Sequence, residues 1–350
     1  MLEPLFHAWE RRLVSVSKDR TVRPFSWGLD WIPSNGAPPD ADPARVLWTW
    51  VRQVRQDTDR FFSSPPTTAY RFTADPEDTR EDPAGLLTFP SAFPTPHPEN
   101  NTVYARYFPA RGRRGQPPPK RAVLVLPQWN ADEGGHIGLS RLLARGGVSA
   151  LRLSLPYHDR RMPPELQRAD FIVSANIART VQVCRQAVLD ARRAIAWLAW
   201  RGYERIGVLG TSLGSCLALL TSAHEPLVRA QALNHVSPFF SDVVWHGIST
   251  RHIRESLDGQ IELRMLRRLW QPINPHGYIP RIRQKKTLLV YAKYDLTFPV
   301  ELSRALVRKF RRLQIPHEVA VLPCGHYSTG KIPFALMDGW ALVRFFQRNL

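Results

Sequence analysis

The sequence predicts an α/β fold, a mostly parallel twisted sheet with helices on both faces, and three observations predict it. From Arg121 onward, short apolar β-branched runs alternate with segments of helical periodicity. Each run ends in Gly, Pro, Asn or Asp before the next helix begins. The runs are apolar throughout rather than alternating, as expected of strands covered on both faces. Strands and helices in alternation pack as parallel βαβ units, whose ligands bind outside the carboxyl ends of the strands.

Taken in order, residues 1–83 read as a polar, proline-broken N-terminal arm packed on the main domain. The segment 2–14 (LEPLFHAWERRLV) is a short amphipathic helix, and 23–32 is rich in aromatics. Asp42 and Pro43 give residues 42–62 a strong helix start, an N-cap followed by proline at the first helical position. Residues 85–93 and 101–110 read as two strands, with PTPHPENN between them as a turn, and 111–120 as an exposed linker. Strands are then expected at 121–127, 148–156, 203–210, 229–238, 285–295 and 317–322. Helices are expected at 134–147, 175–202, 213–224, 300–313 and 334–350. The main domain is thus 84–350, with 239–284 as a helical lid or cap insertion whose apolar residues lie among arginines.

The chain has 350 residues, 43% of them apolar, enough to bury a full core. Its formal charge is +18, carried by 41 arginines and 7 lysines spread over every segment. Scattered charge without a zinc finger, an RNA-binding aromatic motif or a basic heptad excludes nucleic acid as the expected partner. The longest apolar run, residues 194–200, is too short to span a bilayer, although peripheral membrane contact stays open. The N-terminus lacks a basic head followed by an apolar run. Three unclustered cysteines, Cys184, Cys216 and Cys324, make neither a disulfide framework nor a metal site. A reducing, cytoplasmic setting follows as the expectation.

The chemistry is concentrated in three places. Residues 210–214, GTSLG, match G-x-S-x-G between a strand and an apolar helix. A serine at such a turn projects its hydroxyl into the cleft, and the turn is tight enough to demand small residues two before and two after it. A bare helix cap is the competing role for Ser212. Asp295 ends the strand TLLVYAKYD, where a carboxylate can orient a histidine and stabilise its charged form; Asp242 is the rival acid. His326 follows the strand HEVAVLP in a sharp Cys-Gly-His loop, with His235 as the rival base.

With that order, serine then acid then histidine at successive strand ends, residues 84–350 resemble the α/β-hydrolase superfamily, nearest to its acetyl-esterase, dienelactone-hydrolase and abhydrolase-domain branches. The resemblance implies catalytic Ser212, Asp295 and His326, with no metal or organic cofactor. The Leu213 N–H, at a helix N-terminus, is then one oxyanion donor. Aligning Pro127-Gln128 with the His-Gly pair common in similar enzymes makes Trp129 N–H the second, with Gln128 as fallback; the missing His-Gly departs from the pattern. Tyr157, His158, Arg160 and His235, at strand ends, are the expected pocket residues, with Asp159 and Arg161 beside them. The expected function is a serine carboxylic-ester hydrolase on a small-molecule or lipid ester. The alternatives are a lipid or phospholipid deacylase working at an anionic surface, and a non-catalytic hydrolase-like scaffold.

Overall fold

A computed structural model describes residues 2–17, 20–33, 38, 40–79, 81–112 and 119–350. Most of the expected 111–120 linker lies outside the described residues. Among those described, nine strands form one sheet in the order β1-β2-β3-β5-β4-β6-β7-β8-β9. The first three, β1 (Arg71–Ala74), β2 (Gly85–Pro90) and β3 (Thr102–Phe108), are antiparallel to their neighbours. The rest run parallel: β4 (Arg121–Leu126), β5 (Ser149–Leu153), β6 (Arg205–Thr211), β7 (Val228–Asn234), β8 (Lys286–Ala292) and β9 (Glu318–Leu322). All six strands expected in the parallel part are present. Strand β1 was not expected; it falls in the segment read as arm, and of its four residues only Phe72 and Ala74 are apolar.

The central strands are covered on both faces. On one side lie α4 (Ile137–Arg145) and α11 (Phe334–Asn349), which bury Leu143, Leu342, Phe345 and Phe346 against Val123, Val125 and Leu209. On the other lie α5 (Ile177–Trp200), α6 (Leu213–His224) and α10 (Val300–Arg312), packed on Leu124, Leu126, Val208 and Leu289. Leu124 and Val123, and likewise Val208 and Leu209, thus point to opposite faces. This two-sided burial explains why the strands read as continuous apolar runs.

The arm contributes α1 (Leu2–Ser15), α2 (Pro43–Gln56) and the one-turn α3 (Thr58–Phe61). Helix α2 starts where expected, with the Asp42 carboxylate accepting from the Ala44 and Arg45 N–H groups. Its residues Leu47, Trp50, Val51 and Val54 join the core, so α2 is held by its apolar stripe. Between β7 and β8 come α7 (Phe240–His246), α8 (Arg251–Leu257) and α9 (Leu263–Leu269). Their apolar residues Ile253, Leu257, Leu266 and Leu269 are all buried. Most of the apolar positions of this basic segment are thus packed on the core, with Leu263 and Met265 part-buried.

Candidate active site

Ser212 sits at the junction of β6 and α6 with φ 56° and ψ −120°, a backbone region that non-glycine residues rarely adopt. The turn is closed by Ser212 N–H donating to Asn234 C=O at 2.8 Å, and by Ser215 Oγ donating to Ser212 C=O at 2.6 Å. Close approach explains the flanking glycines. A Cβ at Gly214 would lie 2.2 Å from Leu126 O, and one at Gly210 would lie 2.0 Å from Gly214 O. No side-chain cap bond is made by Ser212, so its hydroxyl is left for the cleft.

The three residues expected to act together converge, although His326 is 114 positions from Ser212. Ser212 Oγ lies 3.0 Å from His326 Nε2, and His326 Nδ1 lies 2.8 Å from Asp295 Oδ2. Asp295 Oδ1 accepts from the backbone N–H groups of Thr297 at 2.8 Å and Phe298 at 2.7 Å. The Phe298 ring stacks on the imidazole of His326, 5.3 Å between centroids at 8°. The carboxylate is thereby fixed and the ring held in plane.

Electrostatics follow from this packing. Burial alone pushes the Asp295 carboxyl up, but the His326 charge and the bonds from two histidines win and hold it well below the usual carboxylate range. Burial pushes His326 down, but Asp295, and to a lesser degree Glu10, more than reverse this and leave it raised above its ordinary value.

The rivals fall elsewhere. Asp242 is taken by Arg267, whose Nε donates to it at 2.9 Å. His235 faces the acid rather than the serine: its Nδ1 lies 3.2 Å from Asp295 Oδ2. His235, Asp295 and His326 bring a ligand-type atom each to within 4.8 Å of one another. The 2.8 and 3.2 Å separations within that set are hydrogen-bond distances between the side chains themselves.

A cavity of about 770 Å³ opens onto Ser212 and His326. Gln128, Trp129 and Leu213, the residues expected to bear oxyanion donors, all line it. The Trp129 side chain is fixed by Nε1–H donating to Ala169 C=O at 2.9 Å and by stacking on His252. Of the expected pocket residues, only His235 lines the cavity. Tyr157 is fully buried and its hydroxyl meets His97 Nδ1 at 3.0 Å. His158 is buried beneath the 128–130 loop, where its Nε2 accepts from Asn130 N–H at 2.9 Å; burial pushes its pKa down to about 3. Arg160 is on the surface with Glu133, while Arg161 is in the interior, paired with Asp190 at 2.8 Å. Asp159 pairs with Arg152 at 2.6 Å. This strand end therefore braces the loop carrying Gln128 and Trp129 from behind. Strand-end position indicates proximity to the cleft but not which way a following loop turns. Cys324 is buried against Thr329 and is not among the lining residues.

Pattern reading missed Glu10 and Arg20, which come from the arm. Arg20 lines the cavity, and Glu10 is fully buried against the loop that carries His326. Glu10 did leave a signal: it lies four residues after Phe6 and four before Val14, on the apolar stripe of its own helix.

No protein-family model matches the chain, and no curated protein sequence matches it. Solved structures do. Acetyl xylan esterase 1 from Thermoanaerobacterium sp. JW/SL YS485 superposes with a TM-score of 0.60 at 13% identity, over 97% of this chain and 98% of that one. The acetyl xylan esterase from Paenibacillus sp. R4 gives 0.60 at 16% identity, over 92% and 98%. The Pyrococcus horikoshii acylaminoacyl peptidase gives 0.55 at 13% identity, over 71% of this chain; the match spans only 40% of that longer protein. The sheet order, the strand-turn-helix at Ser212 and these likenesses agree, and the chain has the α/β-hydrolase fold.

Proposed function

We propose that the chain is a serine hydrolase cleaving carboxylic esters through an acyl-Ser212 intermediate. The observation that carries this is the unbroken relay from Ser212 Oγ through His326 to Asp295, at 3.0 and 2.8 Å, on the floor of a cavity. His326 Nε2 takes the serine proton as Oγ attacks the ester carbonyl. The imidazolium so formed is stabilised by ionised Asp295, which keeps its own charge throughout. Negative charge on the former carbonyl oxygen is met by the Leu213 N–H, favoured by its helix N-terminus, and by an N–H of the 128–129 loop. His326 returns the proton to the departing alkoxide. The same histidine then deprotonates water, whose attack breaks the acyl-Ser212 bond; the proton passes from His326 to Ser212 Oγ as the acid leaves.

The test is labelling of intact protein by a fluorophosphonate, alongside hydrolysis of short nitrophenyl esters. Stoichiometric labelling is expected, abolished in Ser212→Ala. Absence of labelling, or equal labelling of Ser212→Ala, overturns the assignment.

A second substrate reading, lipid esters at an anionic surface, draws support from one feature of the cavity mouth. Leu142 of α4 lines it, and the neighbouring face of α11 exposes Leu336, Met337 and Trp340 beside basic Lys331 and Arg344. Hydrolysis that favours anionic vesicles over soluble short esters, and weakens with salt, selects this reading; indifference to both removes it.

A further inference from the structure

We propose that Glu10, on the N-terminal helix α1, is a positioning residue for His326. This inference rests on the assignment of His326 as the base and extends the machinery of the site into the arm.

Glu10 has no exposed surface. Its Oε2 accepts from the Tyr327 N–H at 2.8 Å and its Oε1 from the Ser328 N–H at 2.9 Å. These are the two amides immediately after the histidine. A carboxylate removed from water costs several kcal/mol unless it is met by directed donors. Here one backbone N–H meets each oxygen, a charge-assisted pair that fixes the loop in register. The loop is shaped to receive it: a Cβ at Gly325, the residue before the histidine, would lie 2.3 Å from Glu10 Cδ. Helix α1 also reaches the other partner. Phe6 stacks on Tyr294, the residue before Asp295, with 4.7 Å between centroids and 13° between planes. One helix from the start of the chain thus touches the neighbours of both acid and base.

Glu10 acts on His326 through position and through charge. The groups facing the imidazole are Asp295 beyond β8, His235 and Ser212 at the ends of β7 and β6, and Phe298. Glu10 faces it from α1, and Arg20 reaches this cluster through the Tyr327 hydroxyl at 3.4 Å. Asp338 of α11 lines the same cavity, and Cys324 is buried two residues before the histidine. In this set Glu10 adds to Asp295 in favouring the imidazolium. Only the neutral imidazole can take the serine proton, so loss of the Glu10 charge moves the acid limb of the rate profile to lower pH. Loss of the two hydrogen bonds lowers the plateau.

The experiment uses the full chain and its Glu10→Gln, Glu10→Asp and Phe6→Ala variants. It reads the pH profile of fluorophosphonate labelling, the melting temperature, and the titration of His326 by ¹⁵N-histidine NMR, with the signal assigned by its loss in His326→Asn. For Glu10→Gln we expect a plateau about tenfold lower and a His326 titration roughly half a pH unit lower. Glu10→Asp, with the charge kept and the reach shortened, should retain the titration but lose plateau rate. Phe6→Ala should lower the melting temperature and leave the titration in place. A Glu10→Gln protein that melts earlier but labels and titrates as wild type shows a purely structural staple and overturns the proposal. So does a Glu10→Asp protein with wild-type rate, should the Gln variant not fold. If no protein labels, the serine assignment has failed; the NMR titration then decides this proposal separately, upheld by the lower value in Glu10→Gln and overturned by an unchanged one.

Discussion

His235 and His326 share one oxygen: both Nδ1 atoms approach Asp295 Oδ2, at 3.2 and 2.8 Å, while the other oxygen is held by two backbone amides. The acid thus has three kinds of donor, and only one of them reaches the serine. Replacing His235 by Asn removes a holder of Asp295 and leaves the relay itself intact. A labelling or hydrolysis rate lower by about tenfold is expected, the worth of one hydrogen bond to a charged group. A loss as deep as that of His326→Ala would instead make His235 the base.

Asp295→Asn tests the acid more severely. The amide is isosteric, but it no longer provides the ionised acceptor that selects the Nδ1–H tautomer and stabilises the imidazolium. A loss of around 10⁴-fold in kcat is expected from the equivalent change in serine proteases, with near-normal melting and circular dichroism. A loss under tenfold would mean that the carboxylate is structural.

The pH dependence follows from the direction of the His326 shift. Its pKa is raised above the ordinary 6.5 in the folded protein, and in the proposed mechanism only the neutral form takes the serine proton. Activity should therefore rise with pH, through a midpoint above 6.5. A profile already flat at pH 6 would exclude His326 as the base whose proton state limits the rate.

The buried pair Arg161–Asp190 has no exposed surface on either side chain and no place in the cavity. Asp190→Ala leaves a guanidinium uncompensated in the interior, at a cost of about 3–5 kcal/mol. A marked fall in melting temperature is expected, with the labelling rate of the remaining folded protein unchanged. Selective loss of rate without loss of stability would return Arg161 to the substrate pocket.

Gly214→Val should be more damaging than its size suggests. The added Cβ meets the Leu126 backbone rather than a flexible side chain, so β4 and the start of α6 must separate. Insoluble or unlabelled protein is expected; a soluble, labelled variant would show that the turn at Ser212 is looser than described.

The sequence by itself determined the parallel core and the strand-turn-helix at Ser212. Short β-branched apolar runs such as 121–126 and 287–292, bounded by turn residues, read as strands covered twice, and GTSLG at a strand-helix junction admits few geometries. These are local signals: period, composition and turn chemistry within a dozen residues. Only the tertiary structure decided that Ser212, His326 and Asp295 meet, and what surrounds them. Tyr157, His158 and Arg160 share the sequence signature of pocket residues, yet the loop after β5 turns them into the interior or out to solvent. Strand β1 formed within the arm because β2 offered an edge to pair with, not because its own pattern required it. Glu10 and the Tyr327 amide beside His326 meet across more than three hundred residues of chain, a contact set by how α1 docks rather than by any motif. Side-chain direction after a strand, edge pairing and docking of a distant helix are settled by long-range packing, and no short window of sequence contains the partner that settles them.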